Sequence, residues 1–317
     1  MPELPDVTLY IERLRERVTN RVLLRVRVTS PFVLRTAVPP LGAAEGRPVA
    51  EVSRLGKRIV LALDEPRQAH QRALERPLQE GESATAPAPA RLWLVIHLMI
   101  AGRLRWLAPG AKPPARITLA TFEFERGTLA LTEAGTHRRA ALRCIGDASA
   151  LAALDAGGID VMSADAAAFA GRLKRENHTL KRALADPRLF SGIGNAYSDE
   201  ILHRARLSPL ALTSTLAEPE LLRLFEATRA VLAEWITRLR DASPGWPDKV
   251  TAFHPEMAVH GRHGQPCPVC GAPVQRIVYA SNECNYCARC QTGGRLLADR
   301  SLSRLLKASW PKSIDEL

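Results

Sequence analysis

Aromatic residues make up 5% of this 317-residue chain, too few to advertise a platform of stacked rings for single-stranded nucleic acid. No apolar run approaches the roughly 18 residues of a membrane-spanning helix. The N-terminus also lacks the basic flank and apolar stretch of a secretory signal, so a cytoplasmic protein with no membrane partner is expected. Acidic residues are in deficit: 33 Asp plus Glu stand against 44 Lys plus Arg, for a formal charge of +11. Such an excess favours an anionic partner, with nucleic acid first among them. Cysteine is nearly missing before position 267, where Cys144 stands alone and reads as a small core residue.

The remaining five cysteines fall between 267 and 290. Clustering of this kind in a cytosolic chain argues for a metal site over a disulfide framework. Cys267-Pro-Val-Cys270 and Cys287-Ala-Arg-Cys290 form two knuckles, each offering a pair of thiolates to tetrahedral Zn2+. Cys284-Asn-Tyr-Cys287 is a competing knuckle, but choosing it would leave Cys290 idle, so Cys267, Cys270, Cys287 and Cys290 are the expected ligands. A closed four-sulfur shell has no open position, so one structural zinc is expected. The arm between the knuckles, around Ile277 to Asn285, predicts a β-hairpin able to reach a DNA groove.

Periodicity organises the rest. Val7, Tyr10, Ile11, Leu14 and Val18 recur at helical spacing, predicting an amphipathic helix from Leu4 to Val18 with Pro5 in its first turn. Short β-rich runs follow at Val22 to Val28, Arg58 to Leu63, Leu92 to Leu98, Ile117 to Phe124 and Thr128 to Thr132, which imply a β-sandwich or barrel. An Ala-, Pro-, Glu- and Gln-rich stretch from 64 to 91 interrupts them and reads as a mobile surface insertion. After Asp155 the composition turns helical, with candidates at 164–175, 180–185, 196–206 and 218–239. Between two of these lies Phe190-Ser-Gly-Ile-Gly-Asn195. Its glycines permit left-handed backbone, Asn195 can cap the next helix, and a helix N-terminus binds phosphate.

The first residues carry chemistry. Removal of Met1 would leave Pro2 as a free secondary amine, a nucleophile whose ordinary pKa of about 7.7 to 8.0 leaves part of it unprotonated at neutral pH. Glu3 beside it can move protons.

With Pro2-Glu3, a β-rich domain, the Gly-Ile-Gly-Asn helix pair and a four-cysteine ribbon in this order, the sequence resembles the formamidopyrimidine-DNA glycosylase and endonuclease VIII family from Pro2 to about Gln291. The resemblance implies an α+β fold: an N-terminal helix on a β-sandwich (1–155), a helix-two-turn-helix DNA-binding domain (156–255) and a zinc ribbon (256–292). A C-terminal extension (293–317) has no counterpart in the usual pattern. The implied activity is that of a bifunctional DNA repair glycosylase and abasic-site lyase on damaged double-stranded DNA, bound in the cleft between domains. Its nucleophile would be Pro2 and its proton shuttle Glu3, with β,δ-elimination of the flanking phosphates. A monomeric bacterial enzyme of the cytoplasm, associated with the nucleoid, is expected.

The resemblance also assigns Lys57 to a backbone phosphate near the lesion and His97, in His97-Leu-Met-Ile100, to a position near DNA, where a satisfied core histidine is the alternative. Lys181 and Asn195 match phosphate-gripping positions. Departures from the family pattern are specific. Ile100 or Met99 stands where a wedge methionine would, and Thr132-Glu-Ala-Gly-Thr-His-Arg-Arg139 replaces a stretch that normally supplies an Arg and a Phe wedge, leaving Arg138 as its DNA contact. Asn282 occupies the position of a phosphate-clasping arginine and lacks the charge and fork of guanidinium. These departures leave two other readings: an abasic-site lyase with weak base excision, and a non-catalytic damaged-DNA-binding protein on the same scaffold.

Overall fold

A computed structural model describes residues 1–66, 91–135, 137–248, 250, 251, 253–279, 282–298, 305 and 311–316. The expected insertion lies, from 67 to 90, outside the described residues. The chain divides into two compact units: Met1–Pro2, Asp6–Asp155 and Arg240–Val250 form the first, and Glu3–Pro5, Ala156–Leu239 and Thr251–Leu317 the second. No helix among the described residues is long and apolar enough to cross a membrane.

The first helix, α1 (Leu4–Val18), has the predicted bounds, and its apolar stripe of Val7, Tyr10, Ile11, Leu14 and Val18 is fully buried. It packs into a core lined by two antiparallel sheets. One sheet has the order β1 (Val22–Leu23), β3 (Arg47–Leu55), β4 (Arg58–Leu63), β5 (Leu92–His97) and β9 (Ala141–Ile145). The other runs β2 (Arg25–Val28), β7 (Thr118–Phe124), β8 (Gly127–Glu133) and β6 (Gly102–Leu107). The run predicted from Val22 to Val28 is thus two strands in different sheets, divided at Leu24. Leu61, Leu94, Ile96 and Leu142 from one sheet meet Leu104, Phe122, Leu129 and Leu131 from the other. Cys144 joins this core as expected. Trp246 is fastened there as well, its indole N–H donating to the Leu104 carbonyl at 3.1 Å while Arg17 lies over its ring.

The opposite face of the five-stranded sheet carries a smaller apolar cluster of Val60, Val95 and Ile145, with Leu151 and Leu154 packed on it. Leu151 lies in α2 (Ala148–Ala152), which Asp147 caps through the Ser149 amide.

The second unit is helical. It contains α3 (Ala166–Leu173), α4 (Leu180–Ala185), α5 (Asn195–Ala205) and α6 (Glu218–Ala242, through Leu239). Their buried faces share one core in which Phe169 contacts both Phe190 and Phe225, and Leu4 is part of it. The ribbon hairpin forms as predicted, from β10 (Gln275–Tyr279) and β11 (Asn282–Tyr286), and α7 (Ala288–Thr292) follows.

The C-terminal extension has a definite place. Leu296, Leu297 and Ile314 complete the ribbon's core, and the Leu297 amide donates to the Tyr286 hydroxyl at 2.7 Å. The Leu296 amide donates to the Lys312 carbonyl and that of Ile314 to the Gly294 carbonyl, while Arg289 pairs with Asp315 at 2.8 Å. The tail therefore returns to the ribbon and adds apolar cover that so small a module cannot supply alone.

Candidate active site and nucleic-acid surfaces

In the second unit, Glu3 is buried at 2% exposure with its carboxylate at the start of α5. Its Oε2 accepts from the amides of Gly194 (2.7 Å) and Tyr197 (3.3 Å), and its Oε1 from that of Ala196 (2.9 Å). These amides have no partner within the helix, and the positive end of the helix dipole favours a negative charge there. The Leu4 amide donates to the Gly192 carbonyl at 2.9 Å, a second tie to the same turn. Gly192 takes the left-handed conformation (φ 87°) and Gly194 does not.

Asn195 does not cap α5, contrary to the sequence expectation. It is the first helical residue, Gly194 precedes it without a side-chain cap, and the Glu3 carboxylate meets the need. The Asn195 amide group instead donates from Nδ2 to the Glu283 carbonyl at 3.0 Å, joining the turn to the ribbon hairpin. Lys181 points inward: its ammonium, 12% exposed, donates to the Asn195 carbonyl (2.6 Å), Ser198 Oγ (2.9 Å) and Asp199 Oδ1 (2.6 Å). A buried cation is tolerated only when paired and fully hydrogen-bonded, and Asp199 fills that need. The other Asp199 oxygen bonds His260 Nδ1 at 2.8 Å.

Composition gave no hint of Asp199, Glu200 or His260. The spacing offers a signal for Asp199 alone, which lies four residues beyond Asn195 and so on the same helix face. Glu200 accepts from the amides of Ala258, Val259 and His260, and burial nonetheless pushes its carboxyl above the usual range. Asn282 opens β11 as an exposed residue opposite Tyr279.

The sulfur atoms of Cys267, Cys270, Cys287 and Cys290 all lie within 4.8 Å of one another. Cys270 and Cys287 bring their sulfurs to 3.4 Å, and Cys267 and Cys290 to 3.9 Å. Tetrahedral zinc with bonds of about 2.3 Å needs sulfurs about 3.8 Å apart, so the four residues fit it. His203, on the last turn of α5, brings Nε2 to 3.3 Å from Cys267 Sγ. Cys284 is outside the cluster; it is buried, and burial together with nearby Asp199 pushes its thiol well up.

In the first unit, Lys57 follows Gly56 (φ 61°) in the turn between β3 and β4. His97 ends β5 opposite Arg58. Burial, then the charges of Arg58, Lys57 and Arg143, pushes its imidazole down to about 4, so it is neutral at physiological pH. Beyond it the β5–β6 turn presents Ile100 at 57% exposure. Met99 is left-handed (φ 52°), the Gly102 amide donates to the Leu98 carbonyl at 2.9 Å, and a Cβ on Gly102 would collide with that carbonyl.

The 134–139 segment follows β8, with Thr136 outside the described residues. Buried Glu133 closes it, Oε2 accepting from the amides of Arg139 and Ala140, both at 2.9 Å. His137, Arg138 and Arg139 are exposed, and Arg138 donates to the Arg116 carbonyl at 2.7 Å.

Residues 1–140 match the family model of the formamidopyrimidine-DNA glycosylase N-terminal domain, 158–243 that of the formamidopyrimidine-DNA glycosylase H2TH domain, and 264–293 the zinc finger found in FPG and IleRS. The chain is 34% identical to a formamidopyrimidine-DNA glycosylase of Thermus thermophilus over 302 residues, covering 93% of this chain and all of that one. It is 41% identical over 155 residues to an uncharacterized formamidopyrimidine-DNA glycosylase-like protein of Mycobacterium tuberculosis, covering 49% of this chain and 95% of the relative. Among solved structures, the MutM (Fpg) protein of Thermus thermophilus superposes with a TM-score of 0.69 at 33% identity, covering 92% of this chain and 98% of that one. A Lactococcus lactis Fpg bound to abasic-site DNA shares the fold, with a TM-score of 0.73 at 22% identity, covering 92% and 99%.

Proposed function

The chain belongs to the formamidopyrimidine-DNA glycosylase family, and we propose that it acts as a bifunctional DNA glycosylase and abasic-site lyase on damaged duplex DNA, with Pro2 as nucleophile once Met1 is removed. The observation that carries the reading is the Glu3 carboxylate, buried next to Pro2 in sequence and held by three amides at the head of α5.

The Pro2 nitrogen attacks C1′ of the damaged nucleotide, the bond from C1′ to the base breaks, and the base departs with the electron pair and takes up a proton. Glu3 takes the proton that the Pro2 nitrogen releases after attack and delivers it to the ring oxygen as the sugar opens, which leaves an iminium between Pro2 and C1′. Loss of a C2′ proton then expels the 3′ phosphate, a second elimination expels the 5′ phosphate, and water releases the sugar fragment from Pro2. A carboxylate fixed by amides needs no reorganisation as these charges develop.

Lys57 and His97 serve the duplex from the first unit, and Arg138 and Ile100 offer a charge and an apolar wedge from exposed turns. In the second unit Asn195 and Asn282 supply amide groups and the α5 turn its backbone, while Lys181 works by positioning that turn. These contacts place the duplex and do not read sequence. Cys267, Cys270, Cys287 and Cys290 would hold one zinc ion, which cross-links the ribbon knuckles and has no open position for chemistry.

Borohydride reduction with an abasic-site duplex tests the assignment. The native protein gives a covalent adduct that maps to Pro2, and inserting one glycine ahead of Pro2 removes it. An adduct that persists on another residue overturns the role of Pro2. Exposed Asn282, in place of a guanidinium, favours a lyase that cuts pre-formed abasic sites faster than it excises damaged bases. Equal, fast turnover on both substrates would exclude that second reading.

A further inference from the structure

The outer face of the five-stranded sheet ends in a cluster of cations that the assigned roles do not use. Strand register puts Arg58, His97 and Ala141 side by side, and Arg143 opposite Val95, two residues from Ala141 on the same face. Leu154, packed on this face, fills part of the need of Arg58: its carbonyl accepts from Nη1 at 3.0 Å. The Arg58 Nε is buried and has no acceptor among the described residues. The Arg143 guanidinium has no hydrogen-bond or carboxylate partner among them, its backbone alone being paired in the ladder, and Asp155 offsets part of the charge of Arg58. Burial and the charge of Arg143 both make it harder to keep Arg58 protonated. A half-buried guanidinium set beside a second one, with donor capacity unspent, is costly unless an anion completes it.

We propose that Arg58 and Arg143, flanking His97, form a second anion site that takes a phosphodiester of bound DNA beside the phosphate assigned to Lys57. This rests on the reading of DNA as the partner. Planar forks suit the paired oxygens of a phosphate, and the neutral imidazole between them adds a donor without adding repulsion. In the free protein the two guanidiniums repel each other; a phosphate between them turns that repulsion into attraction.

The site makes two opposed predictions for one substitution. Arg143→Gln lowers affinity for an undamaged duplex and reduces the slope of log K against log salt by about 0.9, as expected for one lost phosphate contact. Without DNA, the same variant melts at the native temperature or above it, because a repulsive contact is gone. Arg58→Gln gives the same loss of slope, and Arg126→Gln, at the exposed β7–β8 turn, keeps the native slope. An unchanged slope in Arg143→Gln overturns the proposal, and so does a loss of slope accompanied by a lower melting temperature, which would mark a structural role. Inorganic phosphate that raises the native melting temperature but not that of Arg143→Gln, with the DNA slope unchanged, would assign the site to free phosphate and equally overturn it. Binding to undamaged duplex needs no excision, so a failed borohydride trap with a reduced slope would leave this site standing. A successful trap with an unchanged slope removes this site alone.

Discussion

Glu3 has two tasks in one carboxylate. As the partner of three amides it holds the start of α5, and as the neighbour of Pro2 it is the proposed proton shuttle. Glu3→Gln keeps one oxygen but turns an –NH2 toward backbone donors, so stability should fall by about 1–3 kcal/mol, read from urea denaturation. Strand cleavage should be lost together with it. A Glu3→Gln protein of native stability would show that the amide bonds contribute little.

His97 sets a pH dependence. Its imidazole titrates near 6.5 in the unfolded chain and about 4 in the folded one. Between those values the unfolded chain binds the proton and the folded chain refuses it. The folded state therefore has full stability above pH 6.5 and loses it as pH falls toward 4, with no further loss from this group below that. At about 1.4 kcal/mol for each tenfold change the limit is about 3 kcal/mol. His97→Gln should flatten this part of the stability profile, measured by denaturant midpoints from pH 7 to pH 4.

At the scale of elements, α5 links two features far apart in sequence. Glu3 caps its first turn and His203 from its last turn lies against Cys267. The helix spans 11 residues, about 16 Å at 1.5 Å per residue. The proposed zinc set uses four of the ribbon's five cysteines. Cys287→Ser should lose bound zinc, whereas Cys284→Ser should keep one zinc per chain by elemental analysis. Zinc loss in Cys284→Ser would move the ligand set.

The elements themselves were unevenly legible. α1 was readable residue by residue because Val7, Tyr10, Ile11, Leu14 and Val18 recur at helical spacing and face one core. β3 was missed because a bulge between Val49 and Glu51 breaks its alternation, and β9 because Ala141, Leu142 and Cys144 read as helix as easily as strand. The cap on α5 was beyond sequence reading for another reason: its acceptor lies 191 residues from Gly194, and capping rules look only a few residues away.

At the scale of the whole molecule, the apolar core of the β-sandwich is distinct from those of the helical unit and the ribbon. Chelation should therefore abolish the ribbon's cooperative unfolding and leave the sandwich's transition in place, followed through Trp106 and Trp246, which pack together there. Removal of residues 294–317 should speed zinc loss to a chelator, because Leu296, Leu297 and Ile314 leave the ribbon core. Native release rates in the truncated protein would show that the tail does not guard the metal. The three-part order was legible from the sequence because cysteine spacing and helical periodicity are local signals. The tail's return to the ribbon was not, since it depends on a long-range pairing of Arg295 with Ser313.

The clamp at Glu133 bears on how such a protein can diversify. Its carboxylate ties the far end of the 134–139 segment to the end of β8 through the Arg139 and Ala140 amides, and backbone amides are the same whatever side chains they carry. The segment is thus a cassette with a closed base. Its side chains can be exchanged in the course of descent without unmaking those two bonds, so the DNA contact proposed for Arg138 can drift while the sandwich beneath it stays the same.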